Sequence, residues 1–67
     1  MGGNMFDIGE VIKSKRKALG ISQKKLAELA GISNTYLSDI EVGRTDPSLK
    51  TMTKIAKALE IELKDLF

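Results

Sequence analysis

Apolar residues recur along this chain at intervals of three and four, the spacing of one face of an α-helix. Ile8, Val11, Ile12 and Leu19 form one such stripe and predict a first helix over about 7–19, stopped at Gly20. Asp7 and Glu10 then sit near the positive end of its dipole, and Lys15, Arg16 and Lys17 near the negative end. Leu26, Leu29 and Ala30 share a face of a second helix, which Ser22 caps and which runs through about residue 30. Gly31 accepts a positive φ without a Cβ clash and suits the end of that helix. Leu37 and Ile40 are the inward residues of a third helix over about 34–41, capped by Ser33 and ended by Gly43. Leu49, Met52, Ile55, Ala56 and Leu59 mark a fourth helix capped by Ser48, or by Asp46 with Pro47 in the first turn. Leu63, Leu66 and Phe67 offer the apolar side of one or two last turns over 62–67, with Leu66 and Phe67 taken into the core.

The second and third helices deserve a joint reading. They are short, amphipathic and joined by a tight turn, and Ala27 is small where two steeply crossing helices need their backbones close. That combination within residues 23–42 describes a helix-turn-helix unit. Projected at about 100° per residue, Ser33, Leu37 and Ile40 cluster on one side of the third helix. Thr35, Ser38, Asp39 and Val42 fall opposite, with Asn34 at the leading edge. The outward face is short and rich in hydrogen-bonding groups, without the long Lys or Glu that an ordinary solvated face carries.

Composition narrows the class. At 67 residues the chain predicts a flexible lead over 1–5, with nothing to bury, and a single domain over 6–67. A 42% hydrophobic content with three aromatic residues and one proline makes the core mostly aliphatic and the fold all-α. With no Cys and no His, a disulfide framework, the usual zinc sites, a thiolate nucleophile and the commonest general base are all absent. No nucleophile–base set or phosphate-cradling loop is present, so neither an enzyme nor a cofactor or metal site is expected. The lack of Cys fits a reducing, cytoplasmic setting, which is the expectation here, and there is no apolar run of transmembrane length and no signal peptide. Net charge is only +2, but Lys13, Lys15, Arg16, Lys17, Lys24 and Lys25 occupy a stretch without a single acid. A one-sided basic patch suits a polyanion better than a membrane.

The stretches LGISQKKLAELAGIS, NTYLSDIEVGRTDPSL and IAKALEIELKDLF resemble the Cro/phage-repressor-type, or XRE-like, helix-turn-helix family. With the first helix the likeness covers about residues 8–67, and it rests on the combined spacing of Gln23, Ala27, Gly31, Leu37 and Ile40. It implies a compact five-helix, lambda-repressor-like domain that binds specific double-stranded DNA, as a repressor or other transcriptional regulator. The third helix would enter the major groove while the second crosses the backbone. Position by position, Asn34, Thr35, Ser38 and Asp39 would face base edges. Asn pairs with adenine, the Thr methyl meets a thymine methyl, and Asp accepts from a cytosine amino group. Gln23, at a helix start, and Lys24, Tyr36, Arg44 and Thr45 would contact phosphates. Arg16 and Glu41 match a pair that orients the recognition helix. Glu62 stands where the family has a small capping hydroxyl, so a frayed or shifted last helix is expected. A weak twofold dimer, formed on DNA through Leu63 and Phe67, follows from the short reach of one reading helix. The competing reading is a protein-interaction module of the same fold, acting through a protein partner.

Overall fold

Side-chain caps written into the sequence decide where each helix begins. The computed structural model describes residues 7–67, so the lead expected over 1–5 lies outside the described residues. Helix α1 (Ile8–Ala18) starts where Asp7 accepts from the Glu10 N–H. Ser22, Ser33 and Ser48 accept in the same way from the N–H groups of Lys25, Tyr36 and Thr51, at 3.0, 3.0 and 3.1 Å. They open α2 (Gln23–Ala30), α3 (Asn34–Glu41) and α4 (Leu49–Ala58). Each such cap contributes about 1 kcal/mol by satisfying an end N–H that the helix cannot. At α4 the cap is Ser48, so the arrangement with Asp46 as cap is not adopted.

Among the described residues the chain has four α-helices and a closing 3-10 turn at Leu63–Leu66, rather than five α-helices. The last element is short because it holds only four residues. Asp65 Oδ2 accepts from the Glu62 N–H at 3.0 Å and so satisfies the N–H at the start of this turn.

Helix α2 packs on α3 and α4, α1 packs on α3, and the 3-10 turn closes against α4 and α1. Ile12, Leu26, Leu37, Ile40, Ile55 and Leu66 are fully buried at the centre of these contacts. Ala27, Ala30, Ala56 and Leu59 complete the core. Burying one large aliphatic side chain contributes about 1.5–3 kcal/mol.

Five apolar residues depart from the positions expected of them. Leu29 is 53% exposed. The buried residues of α2 are Leu26, Ala27 and Ala30, whose arc is centred roughly 100° away from Leu29 on a helix of 3.6 residues per turn. Leu19 is exposed because α1 ends at Ala18 and Leu19 is already its C-cap. Leu49 is exposed at the first position of α4, before that helix reaches the core. At the C-terminus the expected roles are reversed: Phe67 is 65% exposed, whereas Leu63 is half-buried against the core.

Gly9 has a role that periodicity does not reveal. It is buried in the first turn of α1, and a Cβ placed there would collide with the carbonyl oxygens of Ile40 and Glu41. Helix α1 therefore lies directly against the backbone at the C-terminal end of α3, a contact open only to glycine.

Candidate nucleic-acid interface

The turn between α2 and α3 holds three residues, Gly31, Ile32 and Ser33. Gly31 takes φ 71°, and the Ile32 N–H returns to the Ala27 carbonyl at 3.0 Å, which closes α2 and swings the chain sharply. Ile32 packs against the core and Ser33 starts α3 at once. Leu37 and Ile40 then hold α3 on the body, at 0% and 1% exposure. On its other side Asn34 and Thr35 are exposed, and Ser38 and Asp39 half-exposed, so the four expected reading residues share one open face.

A buried polar network fixes how this face is presented. Arg16 Nε donates to Glu41 Oε2 at 2.8 Å and Arg16 Nη2 to Glu41 Oε1 at 3.1 Å, a two-pronged pair between α1 and the end of α3. Arg16 Nη1 donates to the Ile21 carbonyl at 2.9 Å in the α1–α2 connection. Gln23 Nε2 donates to Glu41 Oε1 at 3.0 Å, which ties in the first residue of α2. Arg16 and Glu41 are 8% and 3% exposed, and no buried side-chain nitrogen or oxygen among the described residues lacks a partner. One carboxylate thus joins α1, α2 and α3 at a single point. Satisfied networks of this kind favour one arrangement more than they add net stability.

The expected phosphate contacts fall into different surroundings. Gln23 is half-buried, with one amide N–H committed to Glu41 and the other available beside the exposed Lys24 in the first turn of α2. Arg44 is exposed in the loop after α3. Thr45 lines a shallow depression of about 180 Å³ beside Asp7 and Asp46, an acidic setting for an anion. Tyr36 packs against the core edge and its hydroxyl donates to Thr51 Oγ1 at 3.4 Å, so it braces α3 against α4. Two features were not read from the sequence: the Gln23–Glu41 bond, and an ion pair of 3.1 Å between Arg44 Nη1 and Asp39 Oδ1. The first joins residues 18 apart, which only the fold brings together, and the second is local, closed by the turn at Gly43. Among the described residues no helix is long and apolar enough to cross a membrane.

Fold and site together define a helix-turn-helix domain: two short helices at a tight turn, the second carrying an open polar face. The chain belongs to the helix-turn-helix family, of the Cro/phage-repressor type, whose pattern matches residues 12–66. It is 46% identical over 59 residues to the ImmF control region 10 kDa protein of Bacillus phage phi105, covering 88% of this chain and 66% of that protein. Among solved structures it is similar to the restriction-modification controller protein C.AhdI of Aeromonas hydrophila. There the TM-score is 0.89 at 38% identity, covering 91% of this chain and 92% of that one. It is also similar to SinR, the master regulator for biofilm formation, solved in complex with DNA, with a TM-score of 0.84 at 38% identity. That match covers 88% of this chain and 95% of the solved one. The chain spans from 40% to 66% of the length of the first few curated relatives it matches.

Proposed function

We propose that this protein is a transcriptional regulator of the repressor kind that binds specific double-stranded DNA, with α3 in the major groove. The observation that carries this reading is the open face of Asn34, Thr35, Ser38 and Asp39 on a helix whose opposite side is buried and whose end is pinned by Arg16 and Glu41. Gln23 and Lys24 at the start of α2, together with Arg44, contact phosphates on either side of the groove, where they set register without reading sequence. Thr45, beside two carboxylates, contributes least. Similarity to a regulator solved on DNA supports the same reading. The protein acts inside the cell, on the nucleoid, without enzymatic activity.

One α3 covers only a few base pairs, so two protomers act on two half-sites about one helical turn, roughly 34 Å, apart. The domain measures 31 × 23 × 23 Å, a size that lets two copies lie side by side at that spacing. Phe67, 65% exposed, is the first candidate for the contact between them, and the half-buried Leu63 is the second. So little apolar area makes a dimer that is weak when free and forms on DNA. Selection from a random duplex library, followed by sedimentation of the complex, tests both points. The expected result is an enriched pair of half-sites bound by two chains, with affinity falling on the order of 10³-fold or more between about 50 and 200 mM salt. Affinity that is absent or flat with salt would turn the reading toward a protein partner, and a strictly one-to-one complex would remove the dimer.

A further inference from the structure

Asp39 and Arg44 lie on α3 and on the loop that leaves it, and they are joined twice. The Arg44 N–H donates to the Asp39 carbonyl at 2.9 Å, closing the turn that Gly43 makes at φ 85°. Arg44 Nη1 donates to Asp39 Oδ1 at 3.1 Å. The backbone bond already holds the two residues side by side, so pairing their side chains costs little additional chain entropy. The arginine side chain is 74% exposed and the carboxylate 35%. The pair is therefore open to an incoming polyanion, and Asp39 shares the open face of α3 with Asn34, Thr35 and Ser38.

An exposed ion pair contributes little to folding, so the fold does not require this one. What it controls is the charge offered to DNA. While paired, the two groups cancel. If Arg44 swings to a phosphate, it gains a contact and releases a counterion, but it leaves a bare carboxylate among phosphates. On a base edge in the major groove, the cytosine amino group is the donor suited to replace Arg44 on that carboxylate. Building on the DNA-binding reading above, we infer that Asp39 and Arg44 form a latch that keeps Arg44 off the phosphates until Asp39 meets a base amino group. The latch makes a phosphate contact, which carries no sequence information alone, conditional on base identity. Asp39 is then a specificity-determining residue that acts through Arg44 as well as on the base.

The alternative is two independent charges, one attracting and one repelling every duplex alike. Asp39→Asn, Arg44→Gln and the double variant separate the two, each titrated with the library-selected duplex and an unrelated one at about 0.15 M salt. One phosphate neutralised corresponds to about five-fold in affinity at that salt, from a slope of about −0.9 per contact referred to 1 M. The latch predicts that Arg44→Gln costs about five-fold per protomer on the selected duplex, and on the unrelated one only the smaller loss that the uncancelled, partly screened Asp39 carboxylate causes without a phosphate contact being broken. Asp39→Asn should tighten the unrelated duplex about five-fold per protomer and steepen its salt slope by about 0.9, and adding Arg44→Gln should abolish that gain. Arg44→Gln weakening both duplexes equally, with the two effects simply adding in the double variant, would overturn the latch while leaving DNA binding intact. A parent protein that binds neither duplex would remove both.

Discussion

Removing Glu41 tests how the three helices of the interface are joined. Glu41→Ala deletes the acceptor for Arg16 Nε, Arg16 Nη2 and Gln23 Nε2, and leaves Arg16 buried with the Ile21 carbonyl as its remaining partner. Gln23 is half-exposed and can turn to water, so the loss is dominated by Arg16. A buried charge stripped of its counter-ion costs about 3–5 kcal/mol. Glu41 also stands at the unfavourable, C-terminal end of the α3 dipole, and relieving that returns about 0.3–1 kcal/mol. The net loss of about 2–5 kcal/mol compares with a total stability of roughly 3–10 kcal/mol for a chain of this length. The variant should therefore lose a large fraction of the domain's stability and melt well below the parent. Replacing both partners by apolar residues, Arg16→Met with Glu41→Leu, should return stability to within about 1–2 kcal/mol of the parent, because no charge is left buried. Urea unfolding followed by far-ultraviolet circular dichroism measures all three proteins. A loss of about 1 kcal/mol or less for Glu41→Ala, as for an exposed pair, would refute the reasoning, as would a double variant no more stable than Glu41→Ala alone.

Three further outcomes can be read by thermal or urea unfolding. Leu37→Ala should cost about 2–5 kcal/mol, whereas Asn34→Ala and Thr35→Ala should leave stability within about 0.5 kcal/mol and instead lower base preference by about 1–3 kcal/mol in competition binding. Gly9→Ala should destabilise by about 1–3 kcal/mol despite the better helix propensity of alanine, because the added methyl meets backbone carbonyls that cannot step aside; a more stable variant would contradict the close α1–α3 approach. Glu60→Gly should stabilise by up to about 1 kcal/mol, since Glu60 adopts φ 61° after α4 and glycine bears no Cβ penalty there; a loss would indicate a side-chain role for Glu60.

Features encoded within a few residues were legible in the sequence. Ser22, Ser33 and Ser48 cap the helices expected of them, Gly31 turns the chain, and Leu37 and Ile40 face inward opposite Asn34 and Thr35. Periodicity indicates a stripe but not the width or centre of the arc that neighbours cover, which is why Leu29, Leu19 and Leu49 fit the inward pattern and yet lie exposed. The same limit reversed Leu63 and Phe67 on the four-residue last turn. Gly9 reads as any helical glycine until α3 is placed against it. The likeness to repressors paired Arg16 with Glu41, but the further bond from Gln23 depends on tertiary positions that spacing does not supply, and the clasp of Asp39 by Arg44 depends on the turn at Gly43 that folds the chain back over the end of α3.

The central claim is that one face, built from α3 and the start of α2, meets duplex DNA. Backbone amide shifts recorded by NMR, as the library-selected duplex is added to isotopically labelled protein, test it most directly. The account predicts that the largest changes fall on Gln23, Lys24, Asn34, Thr35, Ser38 and Arg44. The groove on the α2–α4 side, lined by Leu29, Lys54 and Lys57, should remain unchanged. Shifts centred on that groove, with Asn34 and Thr35 silent, would contradict it.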